Sequence, residues 1–215
     1  MREQYSGSRD SVRLHKVTRE RLNRLDQVIA SSMALTDTRT DCREGCDYCC
    51  YYKVALTAGE LFLIGQQMQK HFSAPQLEQT LAAARTNVET TRTMTTQEQL
   101  ASNIKCPLLV DGACSVYEVR PAMCRKHHSM NVELCRRSFE QPLDSTIPNP
   151  EQPMISGYAL AAIAGAREGM AQAGLDAQRY DLNRGLVELF SDNKAEKRWK
   201  KGKRAFLQAG LTEAP

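Results

Sequence analysis

Aromatic residues are scarce, at 6% of the 215-residue chain with one tryptophan, so aliphatic side chains and methionine must supply most of any core. Long apolar runs are absent. The longest, around Tyr158 to Ala166, is broken by Gly165 and Arg167 and is too short to span a bilayer. The amino terminus, MREQYSGSRDSVRLHK, carries basic residues but no apolar h-region and no small-residue cleavage site, which predicts no secretory signal. No charge of one sign dominates either. The net charge of +4 argues against a nucleic-acid partner, because phosphate binding needs basic residues concentrated on one face. No G-x-G-x-x-G, P-loop, G-x-S-x-G or H-E-x-x-H pattern occurs, which removes the common nucleotide, hydrolase and zinc-protease signatures. What remains, 41% hydrophobic and 25% charged, is ordinary for a globular protein. The expectation is a cytoplasmic chain with no membrane partner.

Helical periodicity is the main pattern. From Asp10 to Met33 apolar residues fall at Leu14, Val17, Leu22, Leu25, Val28, Ile29 and Met33, close to a 3.6-residue repeat. Thr57 and Glu60 form a capping box ahead of Leu61, Phe62, Ile64 and Met68, and Ser73, Pro75 and Gln76 open another helix through Val88. The run CPLLVDGAC, Cys106 to Cys114, holds an Asp111-Gly112 turn between short apolar pieces and reads as the one plausible hairpin. Ser115 to Val119 suits a helical turn stopped at Arg120-Pro121. Helices are expected over Ile155 to Ala173, with Gly174 as its stop, over Leu182 to Phe190 and over Lys194 to Gln208. In the last of these Trp199, Phe206 and Leu207 should pack inward, with the lysines in water. The predicted fold is mainly α: a helical domain with a cysteine-rich metal-binding loop region and at most one short hairpin. A helical cysteine-cluster domain over 1–140, a proline-rich linker over 141–153 and a C-terminal helical extension over 154–215, packed on the first part, are the expected divisions.

Cysteine is the residue in unusual supply. All eight lie in two regions: Cys42, Cys46, Cys49 and Cys50 in the first, and Cys106, Cys114, Cys124 and Cys135 in the second. In a reducing compartment such clusters read as ligands or redox groups rather than disulfides. Thiolates are soft anionic ligands suited to zinc and iron-sulfur centres. All eight are candidate metal ligands, with Cys135 set apart because it lies alone in the helical run VELCRRSF. Cys49 and Cys50, as neighbours, point in different directions in most backbone conformations. A mononuclear site would therefore use one of them, whereas a polynuclear centre or two adjacent sites would use both. Arg120, Arg125, Lys126, His127 and His128 place positive charge beside the second region, which should lower thiolate pKa values. The two histidines are expected to support the site or stay solvated rather than ligate.

The strings CREGCDYCC and CPLLVDGACSVYEVRPAMCR resemble the CxxCxxCC cysteine-cluster family, also called YkgJ-like, a zinc- or iron-chelating domain, over about Cys42 to Arg125. The first spacing here is three residues where the family name implies two. By this resemblance Cys42, Cys46, Cys49, Cys50, Cys106, Cys114 and Cys124 are ligands. The function expected is metal binding, structural or regulatory rather than catalytic. The cofactor is zinc or an iron-sulfur cluster, the adjacent cysteines favouring the latter. Two alternatives stand beside it. One is an iron-sulfur enzyme similar to the flagellin lysine methylases, to which the C-x3-C-x2-C run of Cys42, Cys46 and Cys49 adds the spacing of radical S-adenosylmethionine enzymes. The other is a thiol redox sensor using Cys49 and Cys50 or a thiolate near Arg125.

Overall fold

The structure, a computed structural model, describes residues 10–211. Residues 1–9 and 212–215, on which the reading of the export signal and the outer limits of the expected divisions partly rest, lie outside the described residues. Helix α1, Ser11–Leu35, buries Leu14, Val17, Leu22, Leu25 and Ile29 along one stripe, as its periodicity requires. Helices α2, Ala58–His71, and α3, Ala74–Thr91, start on the expected capping boxes. Helix α4, Thr96–Ala101, starts on a third box, Thr95 with Glu98, in a stretch too polar to show periodicity. Then come α5, Ala122–Lys126, α6, Val132–Glu140, α7, Pro153–Gln172, α8, Leu182–Ser191, and α9, Ala195–Lys200. Gly174 stops α7 at φ +65°, and the Leu175 N–H reaches back to the Met170 carbonyl at 2.9 Å.

Helix α9 is shorter than the expected span of 194–208. Gly202 takes φ +69°, the Lys203 N–H returns to the Arg198 carbonyl at 3.0 Å, and Arg198 Nε holds the Ala205 carbonyl at 2.9 Å. The chain therefore turns back instead of continuing as helix. Trp199 and Phe206 are buried as expected, but Leu207 is 52% exposed. The hairpin is present, with β2, Leu109–Val110, paired to β3, Ala113–Cys114, across Asp111 (φ +49°) and Gly112 (φ +75°). A second pair was not legible: β1, Ala55–Leu56, lies antiparallel to β4, Tyr180–Asp181, with Leu56 opposite Tyr180. Two-residue strands so far apart carry no alternation to read.

Helix α1 packs against α7, α2, α5 and α9, and α3 packs against α8. One continuous core draws on both ends of the chain. Phe62 stacks on Trp199 at 4.6 Å between ring centroids and meets Phe206 at 5.2 Å, and Phe206 meets the Tyr180 ring at 5.2 Å. Gly185 allows α8 to approach α2, since a Cβ there would lie 2.5 Å from Leu61 Cδ1. Among the described residues no helix is long and apolar enough to cross a membrane.

Among the buried carboxylates of this apolar frame, Glu60 is the least exposed, at 2%. Its Oε2 accepts the Thr57 N–H at 2.7 Å and the Thr57 hydroxyl at 2.6 Å, and lies 3.2 Å from the Arg21 guanidinium. Its Oε1 accepts the Ala122 N–H at 2.8 Å. A capping residue of α2 thereby also holds α1 and the start of α5. Replacing Glu60 by Ala removes the carboxylate that faces Arg21 and leaves two backbone donors unpaired, so Glu60→Ala should lose about 3–5 kcal/mol of stability. Urea denaturation of the two proteins measures this, and a loss under about 1 kcal/mol would contradict the role given to Glu60.

Candidate metal centre

The first cysteine segment starts against α6. The Asp41 N–H donates to the Ser129 carbonyl at 2.9 Å, and Asp41 Oδ2 accepts the Val132 N–H, the first of α6, at 3.0 Å. The segment turns through Gly45 at φ +82° into a 3-10 turn, Tyr48–Tyr51, which carries Cys49 and Cys50. Phe139 of α6 packs between the flanking tyrosines, 5.8 Å from Tyr48 and 4.8 Å from Tyr51. Cys135 precedes Phe139 by four residues and so shares its helix face. The cysteine whose place the sequence left most open thus lies beside the first segment.

The second segment docks on the same 3-10 turn. The Cys106 N–H donates to the Cys50 carbonyl at 2.8 Å. The Cys106 carbonyl in turn accepts the Leu109 N–H at 3.1 Å, and Leu109 pairs with Cys114 in the hairpin. The hairpin tip faces the first loop, because a Cβ on Gly112 would lie 3.8 Å from Gly45 Cα. Cys124 sits on α5, whose first turn is held by Glu60. Cys42 is exposed, Cys135 is buried at 7%, and the other six are partly buried. All eight are free thiols. Among the described residues no three Cys, His, Asp or Glu side chains already stand as a group that could hold a metal ion.

The thiols nevertheless feel one another. Burial pushes Cys42 up, and Cys46, Cys49 and Cys135 add to it. Cys46 is raised by burial and then by Cys49 and Cys135. Cys106 is pushed up to about 12, by burial first and then by Cys114 and Cys49. Cys124 is raised by burial and then by Cys106, Cys114 and Cys49. Cys49 is raised most, by its hydrogen bond with the Cys50 side chain, then by burial. The basic residues do not produce the expected lowering. Arg120 acts on Cys114 but is outweighed by burial there, while Arg125 pairs with Asp26 and donates to the Arg120 carbonyl at 2.9 Å. Uncharged, crowded thiols are poor nucleophiles.

Backbone amides act in the opposite sense. The N–H of Tyr48 supports the Cys46 sulfur, that of Leu108 the Cys106 sulfur, and that of Val116 the Cys114 sulfur, each two residues beyond its cysteine. Leu109 adds a second donor at Cys106, and Ser129 serves Cys42. Such donors favour the anionic sulfur. With eight sulfurs on two segments docked on one turn, and amides beside several of them that favour the thiolate, the donor set fits a thiolate-bound zinc or iron centre. His128 does not join this set: its Nδ1 bonds the Lys126 carbonyl at 3.1 Å and its Nε2 accepts the Gln152 N–H at 3.0 Å. His127 Nδ1 lies 2.7 Å from Glu151. Both rings hold the second segment to the start of α7.

Glu151 also takes Lys126 at 2.5 Å and the Ser156 hydroxyl at 2.6 Å. Burial opposes its charge, but the hydrogen bonds from His127, Lys126 and Ser156 prevail and hold it at about 2 against an ordinary 4.5. A carboxyl depressed on folding contributes stability above its unfolded value and loses it as pH falls toward the folded one. Between pH 4.5 and 2 the wild type should therefore lose more stability than Glu151→Gln. Thermal melts across that range check the difference, and parallel curves would contradict it.

Residues 41–143 match the model of the CxxCxxCC family, whose description is "Putative zinc- or iron-chelating domain". The matched segment contains all eight cysteines, Cys135 among them. No curated protein and no solved structure matches the chain.

Proposed function

We propose that this protein binds zinc or iron through Cys42, Cys46, Cys49, Cys50, Cys106, Cys114, Cys124 and Cys135, and that the bound metal has a structural or regulatory role in the cytoplasm. The observation that carries the reading is the docking of the two cysteine segments on one turn, where the Cys106 N–H donates to the Cys50 carbonyl at 2.8 Å and a Cβ on Gly112 would lie 3.8 Å from Gly45 Cα. The amides two residues beyond Cys46, Cys106 and Cys114 favour the anionic sulfur, the form that ligates. The match to a zinc- or iron-chelating family over the same residues supports it. Because no three candidate ligands already stand as a group among the described residues, metal uptake would draw the two segments together. Binding free energy then becomes folding free energy for the loops.

The vicinal Cys49–Cys50 pair favours iron-sulfur over zinc, since sulfide-bridged centres accept more thiolates in a small volume. An enzymatic role is the weaker reading. The Cys42-x3-Cys46-x2-Cys49 spacing sits here in a helical fold whose strands are two residues long, whereas the enzymes sharing that spacing are built on repeated β/α units. In the proposed organisation residues 1–140 are the metal-binding domain, 141–153 the linker and 154–215 the extension that covers α1 and α2.

Metal removal tests the reading. Hydrogen exchange of anaerobically purified protein should show amides in 42–50 and 106–124 gaining at least about tenfold in rate after chelation, while α1 and α7 stay protected. A visible absorption spectrum that disappears with the metal identifies iron-sulfur, and a colourless protein with zinc reverses that choice. Unchanged exchange in both loops would contradict a metal that ties them together.

A further inference from the structure

We propose that the eight cysteines form two four-sulfur centres that share the Cys49–Cys50 turn. Cys42, Cys46 and Cys135 take one thiol of the pair, and Cys106, Cys114 and Cys124 take the other. This rests on the metal-binding reading and adds to it how the ligands divide.

Two separate sets of contacts carry the division. On one side, Asp41 bonds to Ser129 and to the first amide of α6, so Cys42 leaves the chain beside the helix that carries Cys135. Phe139, on the Cys135 face of that helix, holds the rings of Tyr48 and Tyr51 on either side of the cysteine pair. On the other side, the Cys106 amide bonds to the Cys50 carbonyl, the hairpin sets Cys114 opposite Leu109, and Glu60 anchors the helix of Cys124. The Cys49–Cys50 turn touches both sets, through its tyrosines against Phe139 and through the Cys50 carbonyl that holds the Cys106 amide. The backbone geometry accounts for this. Successive residues of a 3-10 helix leave the backbone about 120° apart, so the Cys49 and Cys50 side chains on the Tyr48–Tyr51 turn start in different directions, and the contact between their thiols gives way as each takes its own set of partners. A single mononuclear centre needs four sulfurs and would leave four buried or half-buried thiols without a task. Two centres of four use all eight.

Cobalt(II), added anaerobically to the reduced, metal-free full-length protein, is the probe, since tetrahedral sulfur coordination gives it a distinct visible spectrum. The wild type should saturate at two equivalents with an all-sulfur spectrum. The double variants Cys46→Ser/Cys135→Ser and Cys114→Ser/Cys124→Ser should each saturate at one equivalent, half the wild-type intensity, with the all-sulfur band retained. Wild-type saturation at one equivalent, or beyond two, overturns the division whatever the variants do. So does a double variant that keeps the full intensity, or two variants that each lose all of it while circular dichroism shows wild-type helix. A wild type that takes up no cobalt contradicts the metal-binding reading itself, a result distinct from failure of the division.

Discussion

The arrangement depends on the buried carboxylate of Glu60. Glu60 caps its own helix, receives Arg21 from α1 and takes the first amide of α5. A buried carboxylate is tolerated only where its oxygens are fully engaged, and these partners come from three separate parts of the chain. Removing water from this point therefore fixes where α1, α2 and α5 meet. Cys124 stands on α5, within electrostatic reach of Glu60, which raises its thiol further. The carboxylate that orders the core thus also sets the position of a proposed ligand.

The second constraint is repulsion among sulfurs. Eight thiols on two segments cannot ionise together without compensation, and burial adds to the cost of charging them. The fold answers with geometry and not with nearby cations. Arg125 is spent on Asp26 and on backbone carbonyls, Lys126 and His127 on Glu151, and His128 on Lys126 and Gln152. The basic run after Cys124 builds the wall behind the sulfurs, and the local compensation for thiolate charge comes from amides. A divalent cation is the natural remaining source of positive charge.

Much of this was legible in the sequence because it is local. The apolar stripe of α1, the boxes at Thr57 and Ser73, and the Asp111-Gly112 turn each state their conformation within a few residues. What could not be read was non-local or hidden by polarity. The β1–β4 pair joins residues more than a hundred apart with two residues on each strand, α4 offers no apolar face, and the turn at Gly202 that exposes Leu207 depends on Arg198 reaching a carbonyl beyond it. At the site, spacing identified the sulfur-rich segments but gave no way to place Cys135. Its proximity to Cys42 and Cys46 follows from Phe139 packing on two tyrosines and from Asp41 capping a helix ninety residues away. The aromatic residues around the pair carried that signal, since their spacing suits packing against a helix, but only the fold names the helix.

Whether these thiols hold metal is read from the metal-to-protein ratio of protein purified anaerobically without added metal, beside the number of thiols that alkylate in the native state. Stoichiometric zinc or iron is expected, with most of the cysteines unreactive until a chelator is added. Metal-free protein in which all eight cysteines alkylate at the same rate with and without chelator would contradict it.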